Sequence, residues 1–187
     1  MYVSFDAGEH WQSLQLNMPS TSIRDLVVKD DDLVIGTHGR SFWILDNISS
    51  LRQVNTATKN QVTLFKPQVA MRIRWNMNTD TPLPPEEPAG ENPPDGAMIE
   101  YYLPNTSNEV VQIDILNQHK ELIRSFKSND TLYKIPELNI PLYWIRPQQI
   151  LSAKAGAHRF LWDMHYTAMK TPPRYPIAAV YGNTAPE

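Results

Sequence analysis

Residues 4 to 11 read Ser-Phe-Asp-Ala-Gly-Glu-His-Trp, with the spacing S-x-D-x-G-x-x-W. This short run constrains the fold more than any other part of the chain, because each fixed position has a task in a tight β-hairpin. The Asp6 carboxylate can accept hydrogen bonds from backbone N–H groups of its own turn, as Asx turns do. Gly8 allows a positive φ where a side chain would clash. Trp11 can pack beneath the turn and bury a large ring, and Ser4 can add a hydroxyl bond. Such a turn needs a strand on each side, residues 2–4 before it and 11–16 after it.

The next residues continue the pattern. Residues 23–28, 33–37 and 41–46 read as strands, separated by the polar turn 29–32 and by His38-Gly39-Arg40. Strands of five or six residues with turns of two to four make an up-and-down meander, the unit of a propeller blade. Residues 62–65 and 69–75 are further strand candidates within a connecting stretch, 51–78. Residues 79–96 hold six prolines among acidic residues and read as a linker or long loop. A second β pattern fills 97–187, with strands at 97–103, 109–116, 121–126 and 157–164. Val111, Ile113 and Ile115 alternate there with Gln112 and Asp114. Proline recurs through 128–155 and again from Thr171.

Composition excludes several classes. The net charge is −3 with no Lys/Arg cluster, which argues against a nucleic-acid surface. No apolar run approaches the ~18 residues of a membrane-spanning helix. There is no cysteine, hence no disulfide, thiolate metal site or Cys nucleophile. No Gly-rich phosphate loop is present, so no cofactor is expected. Ser41 lacks the G-x-S-x-G setting of a nucleophile elbow.

Candidate chemistry is sparse. Asp6 or Glu9 as a glycosidase carboxylate would need a partner carboxylate ~5–10 Å away across a cleft, and Asp6 is expected to be committed to its own backbone. The turn His38-Gly39-Arg40 is the better candidate. Arg40 can hold a carboxylate bidentately, and a histidine can titrate near neutrality; the plain alternative is a β-turn with two solvated side chains. Arg24, on the first strand of the meander, is either a third rim cation or the partner of Asp25. The run Lys29-Asp30-Asp31-Asp32 lacks the spacing of a calcium loop. His158, Asp163 and His165 lack ligand-like spacing, so no metal site is expected.

The pattern at residues 4–11 matches the Asp-box of sialidase-type β-propeller blades. Together with residues 25–46, above all the run Thr37-His-Gly-Arg-Ser-Phe-Trp-Ile-Leu-Asp46, it resembles the last blades of bacterial BNR/Asp-box repeat proteins. These are often labelled glycosyl hydrolases and are related to the sortilin-type propeller. The resemblance continues through residues 64–67, 92–96 and 159–163, nearly the whole chain. It implies an all-β fold in which incomplete propeller blades (1–50) precede a partial immunoglobulin- or fibronectin-like β-sandwich (97–187). It also implies a large exported parent, periplasmic, extracellular or at the cell surface, although residues 1–3 run into the Asp-box without signal-peptide character. In that setting Ser4, Asp6, Gly8 and Trp11 are structural, and His38, Arg40 and Arg24 lie on the ligand rim. The expected partners are the remainder of the propeller or a partner chain, with a peptide or glycan as ligand. No catalytic residue carries over, because the family's arginines and nucleophile would lie on other blades. Two further readings stay open: part of a sialidase-like glycoside hydrolase, or a truncated gene product without autonomous function.

Overall fold

The computed structural model describes residues 1–55, 58–72, 83–90, 92–132, 134–135, 141–167, 169–170 and 184–185. Among them the chain is all-β, built of small antiparallel sheets. Helix is limited to single 3-10 turns at Leu51–Gln53, Thr58–Asn60 and Leu142–Trp144. No described helix is long and apolar enough to cross a membrane.

The first strands, β1 (Tyr2–Val3) and β2 (Gln12–Ser13), pair across the turn at residues 4–11. The returning strand is shorter than the expected 11–16. Leu16 turns to φ +49, and Met18 N–H donates to the Gln15 carbonyl at 3.0 Å, closing a turn where the strand would have continued. Next come β3 (Ile23–Lys29), β4 (Asp32–Thr37) and β5 (Phe42–Leu45), a three-stranded meander in the expected order. Opposite residues share a face, so Leu33, Ile35, Trp43 and Leu45 point to one side. That side packs with Met1, Leu14, Met18, Ile23 and Ile48 to form the first core.

The second core is built on the sheet β10-β7-β6, with β6 (Thr63–Leu64), β7 (Ala97–Leu103) and β10 (Gly156–Trp162). Because β6 pairs with β7, the stretch 51–78 shares a sheet with the residues beyond 97. Ile99, Tyr101, Leu103 and Phe160 face inward with Leu151. The hairpin β8 (Gln112–Leu116) and β9 (Leu122–Lys127) lays Ile113, Ile115 and Phe126 against them as a second layer. Strand β8 starts three residues later than expected, since Ser107 and Glu109 close a local turn and Val111 N–H donates to Ser128 Oγ. Residues 69–72 are not strand. Residues 73–75 of that candidate, and the proline-rich tail from 171 to 183, lie outside the described residues.

Gly96 shows how closely β7 and β10 meet. Its φ is +127, and a Cβ there would collide with the Trp162 carbonyl group, whose carbon would be 3.0 Å away. The second core is also locked by Tyr101. Its hydroxyl donates to the Ser152 carbonyl at 2.9 Å and accepts from Ser152 N–H at 2.7 Å, holding the loop that inserts Leu151. Burial pushes the Tyr101 hydroxyl above its ordinary range.

Candidate functional site

The residues singled out by sequence fall into two groups at opposite ends of the β3–β5 sheet. At one end is the hairpin turn at residues 4–11. Asp6 Oδ1 accepts from Ser4 Oγ at 2.8 Å and from His10 N–H at 2.9 Å, while Ser4 Oγ accepts from Gly8 N–H at 2.8 Å. Ala7 and Gly8 take φ of +57 and +98, the left-handed conformations that the turn requires. Asp6 Oδ2 lies 2.6 Å from His10 Nδ1.

These bonds hold the Asp6 carboxyl well below its ordinary value, from 3.8 to about 2. The backbone N–H of His10 contributes most, then the His10 ring and Ser4. Both oxygens are spent within four residues of chain, so this carboxylate is an ionised structural acceptor and not a proton donor at neutral pH. Trp11 departs from expectation. It is 63% exposed, with one ring edge 3.8 Å from the position of a Cβ on Gly8, so it covers the outside of the turn instead of being buried under it.

The role of His10 was not legible from the spacing, because the S-x-D-x-G-x-x-W pattern leaves its position open. It lies four residues after Asp6, and that interval was the available signal. Asp6, Glu9 and His10 bring ligand atoms within 4.8 Å of one another, all exposed. Beside the hairpin an open apolar hollow of about 350 Å³ is lined by Phe5, Leu14, Leu26, Leu33, Leu51 and neighbouring groups. Arg52 at its edge is committed to Asp31, at 3.0 Å, and to the Asp30 carbonyl.

At the other end, the turn between β4 and β5 meets the connection leading into β3. His38 N–H donates to the Ser22 carbonyl at 2.9 Å, and Thr21 Oγ1 donates to the His38 carbonyl at 3.4 Å. Thr37 Oγ1 donates to the Ser41 carbonyl at 2.6 Å and accepts from Arg40 N–H at 3.2 Å. Trp43 Nε1 donates to the Arg40 carbonyl at 2.9 Å. Gly39 and Ser41 carry positive φ. The backbone of the turn is thereby held from three directions while the His38 and Arg40 side chains are exposed, without a hydrogen-bond or ion-pair partner among the described residues.

Arg24 reaches solvent by another device. The register of β3 against β4 shifts between Ile23 and Asp25, leaving Arg24 as the extra residue of a β-bulge; bulges re-aim side chains. Among the described residues Arg24 has no ion-pair partner. Asp25, the partner considered for it, accepts instead from Leu26 N–H at 2.8 Å. The structure thus brings His38 and Arg40 together on one braced turn, with Arg24 on the neighbouring strand at the same end.

The remaining sequence candidates are structural. Asp163 accepts from Arg124 Nη1 at 3.1 and 3.2 Å, and the Arg124 guanidinium lies 4.8 Å from the Phe126 ring centroid. His165 Nδ1 is 4.0 Å from Asp163, and His158 stands 5.1 Å from the Tyr101 ring. The turn at residues 29–32 joins β3 to β4, with Asp32 Oδ1 accepting from Asn47 N–H. No family model matches the chain, and neither the curated proteins nor the solved structures yield a match.

Proposed function

We propose that this chain is a non-catalytic structural and binding part of a larger exported β-propeller protein. In this reading residues 1–50 supply the Asp-box hairpin and the last blade, and residues 97–187 supply part of an accessory β-sandwich. One observation carries the non-catalytic assignment. Asp6, the carboxylate that the motif would offer to a hydrolase, has both oxygens engaged by Ser4 and His10, whereas the unengaged cations lie at the other end of the sheet. A braced turn that presents Arg40 and His38 suits recognition of an anionic group on a peptide or glycan, because a guanidinium pairs with a carboxylate through two parallel hydrogen bonds. The remainder of the propeller or a partner chain would complete the rim.

Arrays of acidic and neutral glycans and of peptides, probed with the chain and with Arg40→Ala, test the reading. Binding is expected to favour carboxylate-bearing ligands and to weaken on substitution of Arg40. Hydrolysis of glycoside substrates that disappears with Asp6→Asn or Glu9→Gln would overturn it in favour of a glycoside hydrolase.

A further inference from the structure

The turn between β4 and β5 sets a histidine beside an arginine, with only Gly39 between them. Both backbone groups of His38 are tied to the connection that leads into β3. Its N–H donates to the Ser22 carbonyl at 2.9 Å, and its carbonyl accepts from Thr21 Oγ1 at 3.4 Å. Arg40 is tied from the other side, by its N–H to Thr37 Oγ1 and by its carbonyl to Trp43 Nε1. The two side chains take no part in these bonds and are exposed. A proton gained by the imidazole therefore changes the charge of the turn and leaves its backbone bonds in place.

The turn is packed by β3, by β5 and by the connection 17–22. That connection reads Asn-Met-Pro-Ser-Thr-Ser and β5 reads Phe-Trp-Ile-Leu, so neither brings an ionisable side chain to His38. On β3 the nearby charges are Arg24, re-aimed by its bulge, and Asp25, whose carboxylate accepts from Leu26 N–H at 2.8 Å. Arg40 and Arg24 stay cationic at every working pH, whereas an imidazole ordinarily gains its proton as pH falls through about 6.5. The rim thus carries two fixed positive charges and a third that is switched on in mild acid. Ligand carboxylates, with ordinary values near about 4, keep their charge across the same interval.

We propose that His38 regulates anion binding at this turn: its protonation adds a cation beside Arg40, so carboxylate ligands are held more tightly in mild acid and released as pH rises. The proposal rests on the reading of this turn as an anion-binding site and adds the regulation of that site. Exposure sets the size of the effect. One added charge at a solvated site changes affinity by about two- to fivefold, and by less at high salt.

The test is a titration with trigalacturonate and, separately, with tri-glutamate, followed by the amide chemical shifts of residues 37–41 at about pH 8 and about pH 5.5. The two probes present carboxylates on a glycan and on a peptide, and so separate the two sources. Whichever probe binds should bind about two- to fivefold more tightly at the lower pH. His38→Gln should show one affinity at both pH values. His38→Lys, charged throughout, should also lose the dependence, and at about pH 8 it should bind more tightly than the parent. Arg40→Ala should weaken binding at both pH values, which tests the underlying site independently of its regulation. None of these side chains holds the turn, and circular dichroism checks that each variant is folded. Binding that is lost with Arg40→Ala but equal at the two pH values overturns the regulation and leaves the anion site standing. A pH dependence that survives His38→Gln also overturns the regulation. If neither probe binds at either pH, the anion site and its regulation fall together.

Discussion

Arg159 on β10 pairs with Glu100 on β7, and the same guanidinium joins the two cores. Arg159 Nε and Nη2 stand 2.9 and 2.7 Å from Glu100 Oε1. Nη2 also donates to the carbonyls of Asp46 and Asn47 at 3.0 and 3.1 Å. Those carbonyls follow β5, so one guanidinium ties the end of the first sheet to the outer face of the second. Asn47 needs that support: it is buried, carries φ +58, and its backbone N–H is held by Asp32.

Arg159→Ala is therefore expected to lower stability by about 2 kcal/mol, since it leaves the shielded Glu100 carboxylate and two carbonyls without their donor. Arg159→Lys should recover only part of this, because a compact ammonium cannot reproduce the guanidinium fork. Urea unfolding of both variants, with Arg159→Ala/Glu100→Gln completing a double-mutant cycle, measures the coupling.

Gly96→Ala is expected to cost about 3 kcal/mol or more, from the forced positive φ and the collision with the Trp162 carbonyl together. Gly39→Ala meets open space at its turn and carries only the backbone cost of its positive φ. A much smaller loss at Gly39 than at Gly96, read by thermal melts, separates the two causes.

Tyr101→Phe should cost about 1–2 kcal/mol, because Ser152 N–H and C=O both lose their partner while the ring volume is retained. Hydrogen exchange at Ser152 N–H provides the local check and should accelerate.

At the exposed turn, Arg40→Ala and His38→Ala should stay within about 0.5 kcal/mol of the parent, as expected for surface groups without partners. Thr37→Val should be costlier, since Thr37 Oγ1 bonds both Arg40 N–H and the Ser41 carbonyl. Chemical denaturation of the three variants distinguishes the groups that hold the turn from those it presents.

The Asp6 carboxyl, lowered to about 2, sets a pH dependence with a definite sign. A depressed folded value means that the ionised form favours the folded hairpin. That support is complete above the ordinary value of 3.8 and is lost as pH falls from there through about 2. Carboxyl chemical shifts followed through an acid titration should place the Asp6 midpoint near 2, and Ser4→Ala should move it upward.

Much of the strand order was legible because it follows from local chemistry. The turn at residues 4–11 closes with bonds spanning two to four residues; short apolar runs between polar turns mark β3, β4, β5 and β7, and alternation of apolar side chains marks β8. Turn residues with positive φ, such as Gly8 and Gly39, were legible for the same reason. Strand ends were less so: β2 stops where Gln15 and Met18 close a turn, a competition that hydrophobic pattern does not record.

The sequence by itself determined the all-β class, the antiparallel meander, the bonding of Asp6 within its own hairpin and the exposed turn at residues 38–40, since each depends on neighbours within a few positions. Only the tertiary structure decided that Arg159 closes on Asn47 across 112 residues, that Arg124 meets Asp163, that β6 joins β7, and that Trp11 lies outside its turn. These pairings bring together groups far apart in the chain or depend on how much apolar surface the neighbouring layers leave uncovered. Packing selects them, and no local pattern of residues encodes which distant groups will meet.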